Sequence, residues 1–338
     1  MVLEEWPIAV EPADPMVDSA HARSPSRLDT VRRDFFLDPR DRLTEQERAL
    51  MTAMLHDLLR SLITAIRAAA GDVGEAPEPA RIAATLGKAG LLDRPGLLRL
   101  MLRRADEQRI FTAFAGHAGP RRLPLLPCLV ADSDPAIAGA AMALVVARGR
   151  RRDGFGRPRI DLGDLDSRDV RALAQAVAVA LNADVQADAR FAAAASNVVD
   201  AIDPAVSLDC AVEALVEALD RAGRADEILV ETASGEGEIA LVATLTARRA
   251  GISQRAVWDH LVNRGEGGLA MVARMAGLGR RSAARLIADL GSTGNWSIVE
   301  EIARYDALGF DEVAAALKHW QLPADYRAAF EALGNRRG

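Results

Sequence analysis

The chain has 338 residues, half of them hydrophobic, with only 4% aromatic side chains and a formal net charge of -6. That length supports a large core, in two domains or one elongated array, and the acidic balance excludes nucleic-acid binding by overall charge. Ala and Leu dominate and β-branched runs are few, so composition favours helix over sheet.

Residues 1–30 hold Pro7, Pro12, Pro15 and Pro25, with six acids against two arginines and no apolar period. They read as a disordered acidic tail. Glu4, Glu5 and Trp6 do not open a secretion signal, and no stretch nears the roughly 20 apolar residues of a membrane helix. Order is expected from about Phe35. Thr44-Glu45-Gln46-Glu47 is a capping box, and the pairs Leu50/Met51, Met54/Leu55, Leu58/Leu59 and Leu62/Ile63 make one apolar stripe behind it. Gly71 and the Pro77/Pro79 cluster end that helix. Short helices follow at about 79–90, 94–104, 106–116 and 122–131. Asp132-Ser133-Asp134-Pro135 opens another, with Pro135 in its first turn, running to about Arg148.

A charged loop comes next. Arg148, Arg150, Arg151, Arg152, Arg157 and Arg159 make its first half basic; Asp161, Asp164, Asp166 and Asp169 make its second half acidic. It divides the chain into a tail 1–30, a helical half 31–150, the loop 151–166, a helical-repeat half 167–291 and an extension 292–338. The helices of the second part are expected at about 167–182, 186–201, 207–222, 225–233, 236–249, 253–263, 267–275, 279–290, 296–304, 310–319 and 323–333. Ile228-Leu229-Val230 and Ile160-Asp161-Leu162 are weak strand candidates.

One pattern is written twice. Ala247, Gly251, Ile252 and Val257 recur in spacing as Ala273, Gly277, Leu278 and Ala283. Each is a helix, a tight Ala-Gly turn and a second helix. Looser echoes stand at Gly90-Leu91-Leu92 and Gly309-Phe310-Asp311. A DNA-binding helix-turn-helix has this form, with Ser253 as cap and Gln254, Arg255 and Trp258 towards the groove. A helical repeat array has it too, because any tight hairpin needs a small residue at the crossing and Gly at the joint. Between 246 and 290, eight arginines (248, 249, 255, 264, 274, 280, 281, 285) face three acids, and Asp259 sits badly for phosphate contact. Two closely spaced copies suit a repeat better than one DNA reader.

Little else carries chemistry. The aspartates at 161–169 lack the Gly bend and closing Glu of a calcium loop, and Gly154-Phe155-Gly156 follows no strand. His56, His117, His260 and His319 lack partners at ligand spacing, and no G-x-S-x-G is present. Cys128 and Cys210 read as buried free thiols, which fits a reducing cytoplasm. Trp258, Trp296 and Trp320 read as packing anchors.

Three stretches resemble a bacterial family, domain of unknown function 2336. The first is Leu43-Thr44-Glu45-Gln46-Glu47-Arg48-Ala49-Leu50. The second is Arg103-Arg104-Ala105-Asp106-Glu107-Gln108-Arg109 with the loop Gly154-Phe155-Gly156-Arg157-Pro158-Arg159-Ile160-Asp161-Leu162. The third is Gly235-Glu236-Gly237-Glu238-Ile239-Ala240-Leu241 leading to Ala250-Gly251-Ile252. The resemblance spans roughly 31–290, with no counterpart after Gly291. It implies an all-helical, HEAT-like fold without an established activity, and it transfers no catalytic or ligand residue.

The expectation is therefore an all-α stack of helical hairpins, an α-solenoid of right-handed build. Its expected role is a non-catalytic, cytoplasmic scaffold or regulatory module with protein partners, no cofactor, no metal and no membrane. The expected contact surface is Arg248, Arg249, Arg255, Trp258, Arg274, Arg280, Arg281 and Arg285, with Arg150, Arg151 and Arg152 in the loop. The alternative is a DNA-binding regulator using 243–263 and 269–290. A third is an enzyme of unrecognised type.

Overall fold

Thr44 opens the first helix, α1 (Glu45–Ala70), with the expected reciprocal cap: its hydroxyl accepts from Glu47 N–H at 3.2 Å, and the Glu47 carboxylate accepts from Thr44 N–H at 3.1 Å. The computed structural model describes residues 43–115, 124–182, 189–262, 267–293 and 297–334. The acidic tail, His117, Arg264 and Trp296 lie outside them. Among the described residues the fold is all-α: sixteen α-helices and two short 3₁₀ turns, with no strand. Ile228–Val230 belongs to a helix, and Ile160–Leu162 leads into a 3₁₀ turn.

After α1 come α2 (Pro79–Lys88) and α3 (Pro95–Ala115). The two helices expected at 94–104 and 106–116 are one. Nothing at Ala105-Asp106 breaks a helix, and buried Asp106 is paired with Arg109 one turn on. Then follow α4 (Leu125–Val130), α5 (Pro135–Arg150), α6 (Ser167–Leu181), α7 (Ala189–Asp200), α8 (Leu208–Arg221) and α9 (Glu227–Gly235). The last seven are α10 (Ile239–Ala250), α11 (Gln254–Val262), α12 (Gly268–Met275), α13 (Arg280–Gly291), α14 (Ile298–Ala307), α15 (Phe310–Trp320) and α16 (Ala324–Gly334).

Burial sorts these helices differently from chain order. One core gathers α1, α2, the first half of α3, α6 and α7, around Met51, Leu58, Leu62, Leu98, Leu173 and Val177. The other gathers Ile110 at the far end of α3, α4, α5 and α8 to α15, around Leu144, Leu215, Val242, Leu245, Val272 and Ile287. The chain enters the first core, leaves it for α4 and α5, returns for α6 and α7, and leaves again. Only α3 contributes to both. By length and composition α1 is long and apolar enough to cross a membrane, the one such helix among the described residues. Its stripe from Met51 to Ile66 is taken up by α2, α3, α6 and α7.

The paired Ala-Gly joints have one geometry. Gly251 (φ 65°) and Gly277 (φ 63°) are left-handed, a backbone that a side chain strains. Behind each, the next N–H reaches back five residues: Ile252 to Ala247 O at 3.1 Å, Leu278 to Ala273 O at 3.0 Å. This is the Schellman closure of a helix end. The same reach-back bond follows Gly71, Gly90, Gly223 and Gly237. Gly90 is thus a true echo. Gly309 is not: its φ of -78° is extended, and it begins a helix instead of ending one.

Helix α10 is the centre of the second core. Helices α3, α8, α9, α11 and α12 all touch it, and ten of its twelve residues are buried. Its inward hydroxyls are satisfied within the helix, Thr244 donating to Ala240 O at 2.9 Å and Thr246 to Val242 O at 2.7 Å.

Candidate interaction surfaces

The structure pairs most of the predicted arginines with carboxylates or carbonyls of the same chain, while Arg248, Arg249, Arg280 and Arg285 stay exposed. Arg248 of α10 reaches Asp220 of α8 at 2.6 Å. Arg249 donates to the carbonyls of Ala276 at 3.1 Å and Ala225 at 3.4 Å. Arg274 donates to Tyr305 O at 2.9 Å and lies 4.2 Å over the Tyr305 ring. Arg280 grips Asp306 through two bonds of 2.8 and 2.9 Å, which raises the guanidinium's pKa and lowers that of the carboxyl, chiefly through that hydrogen bonding. Arg285 holds Asp289, which also accepts from Ser234. Of this set, Arg255 and Arg281 are exposed and without a partner among the described residues. Trp258 corrects the expectation of a surface residue: it is 4% exposed, with Arg103 stacked on its ring. Gln254 is also turned in, bonded to Thr244 at 2.7 Å. The helix that would read a groove therefore offers Arg255 alone of its three named contacts.

The loop arginines divide the same way. Arg151, 4% exposed, is a buried brace and not a contact surface. Its Nε meets both oxygens of Asp164 at 2.7 and 2.8 Å, and its other nitrogens donate to Ala147 O and Val206 O. Asp161, expected in a solvated loop, caps the 3₁₀ turn Leu162–Asp164. Arg152 is exposed and lies 5.0 Å over Phe111. Arg150 is exposed and has no partner among the described residues.

Around Arg151 the two cores are stitched together by a network that sequence reasoning missed. Arg104 of α3, 3% exposed, donates to both oxygens of Glu107 and to Asp209 at the start of α8. Arg103 pairs with the same Asp209, and Arg148 of α5 with Glu238 just before α10. Burial works against the charges of Arg104 and Asp209, but their partners prevail. The carboxylates of Glu107 and Asp209 hold Arg104 firmly protonated, and Arg103 and Arg104 hold Asp209 below the ordinary carboxylate range. A cavity of about 70 Å³ remains between Arg104, Glu107, Arg148, Arg152 and Gly237. Since its guanidinia are already spoken for by carboxylates and carbonyls, the arrangement braces α3, α5, α8 and α10.

A surface that sequence reasoning passed over is on α5. Ile137, Ala141, Leu144 and Ala147 face the core. The outward side carries Met142, Val145 and Val146, at 48%, 40% and 47% exposure, with Gly139, Ala143 and Gly149 among them. A helix apolar on all sides calls for cover on all sides. A side-chain carbon on Gly139 or Gly149 would meet nothing within 4 Å, so nothing among the described residues requires either glycine, although mid-helix glycine costs about 0.5–1 kcal/mol against Ala. The readable signal was the 4-3-4-3 spacing of Pro135, Gly139, Met142, Val146 and Gly149.

Both cysteines correct the expectation of burial. Cys128 sits on the outer side of α4, beside buried Leu129, and Cys210 on the outer side of α8's first turn. His260 and His319, distant in sequence, meet across Trp320, with ring centroids 4.6 and 5.6 Å from it. Trp258 and Trp320 are both buried, as packing anchors should be. Among the described residues no group of His, Cys, Asp and Glu is placed to hold a metal ion.

No curated protein and no solved structure matches the chain. One family model does, over residues 118–318, and its description is an uncharacterised protein conserved in bacteria. The match begins later than the resemblance traced from residue 31. It also runs past Gly291 through α14 and most of α15, where no counterpart was expected. The loop motif 154–162 and the stretch 235–252 fall inside it; Leu43–Leu50 and Arg103–Arg109 fall outside. With well over half the residues matched, the chain belongs to the bacterial family DUF2336.

Proposed function

We propose that the protein is a non-catalytic helical interaction module that takes a protein partner on the outer face of α5. One observation carries this reading: a sixteen-residue helix, apolar on every side, has its Met142–Val146 face open. A contiguous exposed apolar patch marks a contact site. The arginine clusters support it less, because most of them already pair with carboxylates of the same chain. The hairpins 239–262 and 268–291 share one joint and lie side by side, which favours a HEAT-like repeat for that segment.

DNA binding stays as the second reading, on the strength of Arg255 and Arg281. Photo-crosslinkers placed at Val146, Arg255 and Arg281 in bacterial cells separate the two. Protein adducts at Val146, with none at the arginines, are expected. Nucleic-acid adducts at the arginines and none at Val146 would replace the first reading by the second.

A further inference from the structure

We infer that the arginine-rich turn after α5 is the docking site of the acidic segment 1–18 of the same chain. This site is separate from the open face at Met142–Val146. From 150 to 159 the chain has five arginines and one acid, Asp153. Arg151 is taken up by Asp164. Of the other four, Arg150, Arg152 and Arg157 are exposed and Arg159 is half-buried. Their carboxylate partners are loose: Arg157 lies 3.6 Å from Asp153, and Arg159 lies 3.5 Å from Asp57, which also serves Arg60. Arg152 donates to Gly156 O at 3.2 Å. The turn is held in shape, because the Asp153 carboxylate accepts from Phe155 N–H and Arg157 N–H, each at 2.8 Å. Phe155 stands at its tip, 84% exposed, with Arg157 5.2 Å over the ring. At its base Arg152 lies over Phe111. An aromatic ring held out in water among arginines fits a partner that is both acidic and aromatic.

Segment 1–18 has that chemistry. It carries Glu4, Glu5, Glu11, Asp14 and Asp18 and no base, with Trp6 next to the first two. Carboxylates pair with guanidinium groups, and a Trp face is the best aromatic seat for one. The fold also puts the turn within reach. The Arg159–Asp57 pair sets the turn beside α1, about 18 Å along that helix from Glu45. Residues 19–42, which join the segment to the described chain, can span at most about 80 Å. A tether of this kind gives its segment an effective concentration of order millimolar, far above that of a dilute acidic partner. Each exposed ion pair contributes little, so the contact is collective and weakens with salt. While it lasts, the segment shields these arginines from other anions.

Photo-crosslinking in the purified full chain tests this. A benzophenone amino acid replaces Phe155 and keeps an aromatic ring at the tip. Light should join it to residues 1–18 within one chain. Salt raised from about 0.1 M to about 1 M should remove most of the adduct. Glu4→Gln with Glu5→Gln should do the same, and that variant leaves every described residue as it is. Arg152→Glu with Arg157→Glu should match it at an unchanged melting temperature, since both side chains are exposed. Equal yields in the charge variants overturn the electrostatic contact. Adducts confined to other residues of the chain, or no adduct, overturn segment 1–18 as the occupant. Adducts that join two chains through residues 1–18 overturn the tethered contact in favour of a second copy. None of these outcomes bears on the α5 face, which is tested at Val146.

Discussion

Helices α5 and α10 are both apolar almost all round, yet they end differently. Helix α10 is enclosed by five neighbours, and only Arg248 and Arg249 escape near its end. Helix α5 packs on α4 and α8 and leaves Met142, Val145 and Val146 open. The two are joined by the pair of Arg148 on α5 with Glu238 at the start of α10. The difference shows that composition states how much cover a helix needs, whereas the fold states how much it receives. For α10 the demand is met within the chain. For α5 it is not, and the proposed contact surface rests on that shortfall.

Mutations break this comparison unequally. The largest loss is expected at the brace behind α10. Arg104→Ala removes the buried cation that Glu107 and Asp209 share and leaves them Arg103 alone, and should cost about 3 kcal/mol or more in urea unfolding. Next comes the covered helix itself: Leu245→Ala, at a fully buried site, should cost about 2–5 kcal/mol. The matching change on the open helix, Val146→Ala, should stay within about 0.5 kcal/mol in dilute solution. Equal losses at Leu245 and Val146 would mean that α5 is as covered as α10.

Acid acts on the same brace. Asp209 holds its proton more weakly in the folded protein than its ordinary value of 3.8, because of Arg103 and Arg104. Its contribution is therefore fully present above that value and is lost as pH falls below it towards the folded pKa. Stability measured by chemical denaturation should drop below about pH 4, and Asp209→Asn should flatten that drop while lowering stability at neutral pH. The smallest effect is a gain. Gly139→Ala should stabilise the dilute monomer by about 0.5–1 kcal/mol, since its new methyl meets empty space.

Local chemistry was legible in the sequence. The Thr44 box, the Gly71 stop, Pro135 in a first turn and the joints at Gly251 and Gly277 are each decided by a few neighbouring residues, and the structure has all of them. What escaped depends on partners far away in the chain. Arg151 and Trp258 look like surface residues until Asp164, Val206 and Arg103 are brought to them. Helix α12 has no capping side chain of its own; Glu301 of α14 supplies one to Ala270 N–H from outside. The α5 seam was written in its spacing, but a helix apolar on every side does not say which side the fold leaves open.

Hydrogen exchange of α5 and α10, followed together in the purified chain, tests the central claim most directly. Amides of 239–250 should exchange slowest, behind cover on every side. Those of 135–150 should exchange measurably faster. Equal protection of the two helices would contradict the claim that the fold covers α10 and leaves one side of α5 open.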